Sequence, residues 1–270
     1  MNAEQLLTTR FAKKIWNPFV KAVKEYRLVN EGDRIAVCVS GGKDSALLSV
    51  LMRMLQLHSE IRFEVLFLSM DPGYSPERRQ MIERGLTSLG VQPYRYETKL
   101  FDTVAQQDKN PCFLCARLRR GSLYKKAQEL GCNKIALGHH FDDVIETILM
   151  SMLYGGQVQT MKPKLHAAHY EGVQVIRPLY LVRERDVIAW RDACGLEFPG
   201  CSCAFAAKAE QEAQSSSKRQ EIKRLLADLE RINPQIPKNV FNSVKNIDLD
   251  DVLGWHRGEW KQTFLDGYQD

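Results

Sequence analysis

Residues Val37 to Met52 read VCVSGGKDSALLSVLM. An apolar run rich in valine ends at Ser40. Two glycines, a lysine, an aspartate and Ser45 follow, and then an apolar pattern of helical period begins. A strand-to-helix turn of this kind presents free backbone N–H groups and the positive end of a helix, which together suit a phosphate. Gly41 and Gly42 let the backbone approach an anion closely, and the hydroxyls of Ser40 and Ser45 can donate hydrogen bonds. The spacing is neither that of a Walker A loop nor GxGxxG. A tight βα turn with an ordinary cap is the plain alternative, but strand, glycines, lysine, hydroxyls and helix all agree on a phosphate loop.

Outward from this turn the chain alternates. RIAVCVS (34–40), FEVLFLSMD (63–71), PYRYETK (93–99), KIALGHH (134–140) and VQVIRPLY (173–180) are short β-like runs. DSALLSVLMRMLQLH (44–58), SPERRQMIERGLTSLG (75–90), CFLCARLRRGSLYKKAQELG (112–131) and FDDVIETILMSMLYGG (141–156) have apolar residues three and four apart. This order predicts an α/β fold: a doubly wound, mostly parallel five-stranded sheet that binds ligands beyond the carboxyl ends of its strands. Residues 4–28 read as an amphipathic helical arm interrupted at Asn17-Pro18. After about Arg183 no clear strand is expected; residues 184–195 and 215–233 read as helices around a loop, FPGCSCAF. Three regions follow: an N-terminal helical arm (1–30), a core (31–190) and a helical C-terminal region (191–270).

Hydrophobic residues make up 44% of the 270 and charged ones 26%, enough apolar surface for a real core. No run approaches the ~18 apolar residues of a membrane span. The opening MNAEQLLTTRFAKK lacks the basic-then-apolar order of a secretory signal, so a cytoplasmic protein is expected. The net charge of +5 is modest, but FAKKIWNPFVKAVKEYR, ARLRRGSLYKKAQ and SSSKRQEIKRLL are each locally basic. Any one is readily a solvated helix face; three with interleaved aromatics suit a polyanion such as RNA.

Seven cysteines do not suit a disulfide framework in a long chain of a reducing compartment. Cys38 belongs to an apolar strand, where it packs, and Cys132 and Cys194 fall near helix ends. The remaining four form two close pairs, Cys112/Cys115 and Cys201/Cys203, which points to a metal. Cys112 and Cys115 stand at C-x2-C spacing where a basic helix begins, a position that lowers thiol pKa. A redox pair, two structural cysteines and half a zinc site remain open on spacing alone. His139, His140, Asp142 and Asp143 crowd the end of the fourth strand behind Gly138, and should face the glycine loop across the sheet edge. Packing or capping is the plain reading of the histidines, and a His-Asp metal site is the other that the spacing allows.

SGGKDS resembles the pyrophosphate loop of the PP-loop ATP-pyrophosphatase superfamily, with its adenine nucleotide alpha hydrolase-like fold. With CxxCARLRRG, LGHHFDD and YGGQVQTMKPKL in this order, the chain is similar to the tRNA 2-thiocytidine synthetase family, the tRNA-cytidine 2-sulfurtransferases. The similarity is good over roughly residues 25–190 and looser through NVFNSVKNIDLDDVL.

What the resemblance implies is cleavage of ATP between its α and β phosphates, adenylation of a tRNA cytidine, and thiolation at C2. The expected cofactors are ATP, Mg2+ and a 4Fe–4S cluster held by Cys112, Cys115 and a third cysteine. The family has C-x2-C in the C-terminal pair where this chain has Cys201-Ser202-Cys203, so Cys203, or else Cys201, is the expected third ligand. Ser40, Gly41, Gly42, Lys43, Asp44, Ser45, Met70, Gly138 and Asp143 are expected around ATP, with Asp44, Arg119 and Asp143 as the catalytic set. Arg119 replaces a functional lysine of related thiouridine enzymes; it keeps the charge but cannot serve as a neutral base, which suits a phosphate or RNA contact. Expected partners are tRNA and a sulfur donor, either a cysteine desulfurase or free sulfide, with no membrane and with a homodimer suggested. Two other readings stand beside this one: a PP-loop enzyme acting on another tRNA base or a small molecule, and a zinc-stabilised nucleotide or RNA binder.

Overall fold

Four consecutive buried residues, Ile35 to Cys38, leave the first strand, β1 (Arg34–Cys38), no polar face, and it lies inside the sheet with a neighbour on each side. The computed structural model describes residues 2–105, 111–199 and 218–268. In it β1 pairs in parallel with β2 (Glu64–Asp71) and β4 (Lys134–Ala136). Outside these, β3 (Tyr94–Glu97) lies parallel on β2 and β6 (Gln174–Ile176) parallel on β4. All five strands expected from the sequence are present and parallel. A sixth, β5 (Lys164–His166), runs antiparallel along β6 and gives the order β3-β2-β1-β4-β6-β5. Its three residues are all exposed, so it carries no apolar signal, and a lysine on an edge strand blunts pairing with other chains.

Crossover helices cover both faces. They are α3 (Lys43–His58), α4 (Pro76–Ser88) and α6 (Pro111–Glu129), with a short α5 (Leu100–Ala105) before α6; α7 (Phe141–Gly155) follows β4. The period of two along β1 divides the core. Ile35 and Val37 pack with Leu47, Leu48 and Leu51 of α3, while Ala36 and Cys38 pack with Tyr124 and Ala127 of α6.

The N-terminal segment joins the first of these cores. α1 (Ala3–Thr8), a π-helical turn (Ala12–Trp16) and α2 (Asn17–Glu25) present Leu7, Phe11, Ile15, Phe19 and Val23, a stripe at spacing four, to the apolar cluster that holds α3. The expected interruption at Asn17-Pro18 is corrected. Pro18 sits in the first turn of α2, where its missing N–H is not needed, and the break lies at Thr9–Phe11. α8 (Glu184–Ala193) packs its fully buried Trp190 into the same cluster.

Of the described residues, those up to Val144 and from Met161 to 199 form one compact unit, and Ile145–Thr160 with those from Lys218 form a second. The second contains the later turns of α7, α9 (Lys218–Ile232), α10 (Ile236–Ser243) and a hairpin of β7 (Gly254–Arg257) and β8 (Trp260–Thr263). Arg219 on α9 donates to Glu146, buried on α7, at 2.7 Å, and Tyr154 donates to Glu221. The hairpin corrects the strand-free reading beyond Arg183. Its residues are nearly all exposed, so no apolar alternation announces it, and Trp255 meets Trp260 edge-on at 5.0 Å. No helix among the described residues is long and apolar enough to cross a membrane.

Candidate active site

The turn from β1 into α3 is tied by its own side chains. Ser45 Oγ donates to Gly42 O at 2.9 Å and accepts from the Ser40 backbone N–H at 3.2 Å, with the Ser40 hydroxyl also 3.2 Å away. Gly41 has φ +80°, and a Cβ there would lie 2.6 Å from Ile82 Cδ1, so glycine is required on two counts. Gly42 caps α3 with no side chain, leaving the helix start to its own N–H groups.

Lys43 Nζ donates to Asp44 Oδ2 at 3.0 Å and to Glu184 Oε1 at 3.1 Å. Burial pulls the ammonium pKa down, but the two carboxylates outweigh it and leave it above its ordinary value. Asp44 Oδ1 is buried without a hydrogen-bond partner, and His140 Nε2 stands 4.0 Å from it. At the start of α7, His140 N donates to Asp143 Oδ2 at 3.0 Å and Asp143 N donates to His140 Nδ1 at 3.3 Å. Nδ1 is engaged by the Asp143 N–H, so the Nε2 edge of the ring is the one that faces Asp44. The reading of the histidines as capping residues holds for His140. Asp142 accepts from the Glu184 N–H at 2.6 Å and from Arg183 Nε at 3.0 Å, which locks the start of α8 to the start of α7.

Gly138 accounts for the close approach of β4 to the loop. A Cβ there would lie 3.2 Å from the Asp44 carbonyl carbon and 3.3 Å from Ser45 N, both backbone atoms. On the other side, Ser40, Met70, Tyr74 and Arg119 line one cleft. Tyr74 is held there by a turn in which Asp71 accepts from Gly73 N at 2.9 Å and Tyr74 N at 2.8 Å, and Arg79 Nε closes on the same carboxylate at 2.5 Å. The Tyr74 hydroxyl accepts from Arg119 at 3.3 Å, while Arg119 Nε is buried with no hydrogen-bond partner.

The structure thus brings Ser40–Ser45, Met70, Arg119, Gly138 and Asp143 to the carboxyl edge of β1, β2 and β4. For the cysteines it divides the expectation. Burial, aided by Cys132, pushes the Cys38 thiol up to about 12, and burial also raises Cys132 and Cys194, so these three stay thiols. Cys115 is half-buried on α6 and packs in the small cluster that contains Met70. Cys112 is placed by its backbone in the first turn of α6, three residues before Cys115, and i,i+3 residues share a helix face. Cys201 and Cys203 lie outside the described residues. Among the described residues no three His, Cys, Asp or Glu side chains gather as a metal site. Two cysteines within one turn of α6, with Cys115 packed in the Met70 cluster, are the donor type that suits a thiolate-held group.

Two residues of the edge were not expected from the sequence. Glu184 reaches Lys43 and Asp142 only through the fold, and Tyr74 sits in a turn that carries no motif of its own. DPG at 71–73, an aspartate before a glycine turn, was the one available signal for Tyr74.

The SGGKDS turn at the first strand of a parallel sheet is the arrangement expected of a PP-loop protein, and the PP-loop domain family model matches residues 7–200. Within that class the chain belongs to the tRNA-cytidine(32) 2-sulfurtransferase family. It is 38% identical over 246 residues to the tRNA-cytidine(32) 2-sulfurtransferase of Syntrophotalea carbinolica, covering 90% of this chain and 92% of that one. Over 264 residues it is 37% identical to the enzyme of that name from Coxiella burnetii strain RSA 493, covering 95% and 98%. Among solved structures, the U34-tRNA thiolase NcsA from Methanococcus maripaludis with its 4Fe–4S cluster superposes with a TM-score of 0.65 at 20% identity. That match covers 86% of this chain and 79% of the other, and it supports the fold.

Proposed function

We propose that this chain is an ATP-dependent tRNA sulfurtransferase that converts a cytidine to 2-thiocytidine, as the names of its relatives say of them. The observation that carries the reading is that Arg119, four residues beyond Cys115 on α6, lines one cleft with Ser40 of the phosphate loop. The thiol-bearing helix and the nucleotide turn therefore serve a single site.

The backbone N–H groups at the start of α3 and the Lys43 ammonium bind the triphosphate and stabilise charge on departing pyrophosphate. Asp44, with an oxygen lacking a hydrogen bond, supplies a carboxylate for Mg2+. Met70 and Gly138 flank the nucleoside, Gly138 because only a bare backbone fits against Asp44. The cytidine O2 attacks the α phosphorus, its new P–O bond forming as the bond to pyrophosphate breaks. Sulfide then adds at C2, the C–O bond breaks and AMP leaves with its electron pair. Arg119 neutralises phosphate charge through both steps, and Asp143, fixed by His140, borders the acceptor base. A 4Fe–4S cluster held by Cys112, Cys115 and Cys203 or Cys201 supplies, when bound, an iron position able to carry sulfide. The base has to be splayed from its neighbours, which is cheap in a single-stranded loop such as the anticodon loop. The sulfur comes in the cytoplasm from free sulfide, or from a cysteine desulfurase whose persulfide sulfur is brought to the sulfide level by a two-electron thiol reductant.

Anaerobically purified protein is expected to contain close to four irons per chain, lost in Cys112→Ser, and to release pyrophosphate from ATP only when unmodified tRNA is present. Stoichiometric zinc with no iron, or pyrophosphate release indifferent to tRNA, would overturn the reading.

A further inference from the structure

Arg177 follows the last residue of β6, whose Ile176 carbonyl accepts from Leu137 N at 3.0 Å, so it stands at the carboxyl edge beside the Gly138–Asp143 turn. Its guanidinium donates to the Lys162 carbonyl, but its Nε is buried with no hydrogen-bond partner. It forms no ion pair with any described carboxylate. The charged groups that act on it are Arg120 of α6 and Asp143, and the Asp143 carboxylate already accepts from His140 N. Arg120 is exposed and has no ion pair among the described residues. Burial first, and Arg120 in part, push the Arg177 pKa down, while Tyr124, Tyr180 and Asp143 act the other way. Arg120 stands on the turn of α6 whose Gly121 carbonyl accepts from Tyr170, just before β6, at 3.0 Å. A guanidinium kept partly out of water, with an N–H that finds no acceptor and a second guanidinium on the facing helix, is a poor arrangement for a protein by itself. It becomes a good one when an anion with several acceptor oxygens enters, and phosphate matches the guanidinium fork.

We infer that Arg177 and Arg120 form a receiving site for a backbone phosphate of the RNA strand that presents the acceptor base. The nucleotide loop springs from β1, and β4 separates β1 from β6, which puts Arg177 about 10 Å from that loop at the usual strand spacing. Exposed Lys162 and Lys164 continue the positive charge from Arg177 along the β5 edge, away from the loop. A polyanion arriving over β5 therefore meets Lys164, Lys162 and the two arginines before its base reaches Asp143. This site rests on the tRNA reading above and deepens it by naming the surface that holds the strand.

The test uses the full-length holoenzyme. Binding of unmodified tRNA is measured across a salt series for the wild type, Arg177→Gln, Arg120→Gln and Arg177→Lys, beside binding of a non-hydrolysable ATP analogue. Each glutamine variant is expected to lose about tenfold in tRNA affinity, with the slope of log affinity against log salt falling by about one. Arg177→Lys is expected to keep the slope and lose part of the affinity, and ATP analogue binding is expected to stay as in the wild type. Unchanged tRNA affinity and slope in Arg120→Gln, whose exposed position protects the fold, would overturn the site even if Arg177→Gln unfolds. Loss of analogue binding with tRNA binding intact would overturn it too, assigning the arginines to the nucleotide. A wild-type protein that binds no tRNA would overturn the functional reading itself, and this site with it.

Discussion

Lys43 and Glu184, 141 positions apart in the chain, meet at 3.1 Å across the mouth of the phosphate loop. Asp44 holds the same ammonium at 3.0 Å. Burial opposes the charge on Lys43, and the two carboxylates restore it. A lysine whose pKa stands above its ordinary value contributes stability that is whole below that value and is lost as pH rises through the folded one. Glu184→Gln removes one of the supports, so the pKa of Lys43 falls. The alkaline loss of ATP binding in this variant should therefore begin at a lower pH than in the wild type, as a titration of analogue binding against pH will show. Lys43→Met should cut pyrophosphate release by roughly 10²–10³-fold, the usual cost of losing one preorganised charge donor.

Gly138→Ala forces a methyl group against the backbone of Asp44 and Ser45 at 3.2 and 3.3 Å. Backbone cannot swing aside as a long side chain can. The substitution should cost about 1–3 kcal/mol in urea unfolding and raise the KM for ATP, because the displaced atoms belong to the Ser40–Ser45 turn proposed to hold the triphosphate. Equal stability and an unchanged KM would show that β4 and the loop are not packed as described.

Asp71 is buried, which raises its pKa, but the N–H groups of Tyr74 and Gly73 and the guanidinium of Arg79 outweigh this and leave it below the usual carboxylate value. A depressed carboxylate contributes stability present above its ordinary pKa and lost as pH falls through the folded one. Asp71→Asn should thus be less stable than the wild type at neutral pH. The gap should narrow in acid, once the wild-type carboxylate is itself protonated. A gap that is constant from neutral pH into acid would contradict the assigned cause.

At the opposite edge of the sheet, Lys134 Nζ lies 2.6 Å from Asp33 Oδ2 and 3.0 Å from the Leu28 carbonyl, with both charged side chains almost fully buried. Removing one partner leaves an uncompensated charge, so Asp33→Ala should destabilise by about 3–5 kcal/mol. The double variant Asp33→Leu with Lys134→Met should recover much of that loss, since a buried pair is often no better than apolar residues of similar volume. Chemical denaturation of the two variants will measure the difference.

Legibility in the sequence followed chemistry and period. The Ser40–Ser45 turn was readable because glycine, lysine and hydroxyl residues have few other reasons to stand together between a strand and a helix. β1 was readable because burial on both faces makes it continuously apolar from Ile35 to Cys38. β5 and the Trp255–Trp260 hairpin were not, because exposed residues carry no burial pattern. The break at Thr9–Phe11 was missed because Pro18 looked like the stronger breaker, although the first turn of a helix tolerates it. Glu184, Tyr74 and Arg177 have ordinary local contexts. Only the order of strands in the sheet brings them to the edge, and that order is a long-range property.

The most direct measurement is the nucleoside composition of unmodified tRNA after anaerobic incubation with iron-reconstituted protein, MgATP and sulfide. Mass spectrometry should show 2-thiocytidine, dependent on ATP and absent with Asp44→Ala. Unchanged cytidine with the wild type, or sulfur on a different base, would contradict the account.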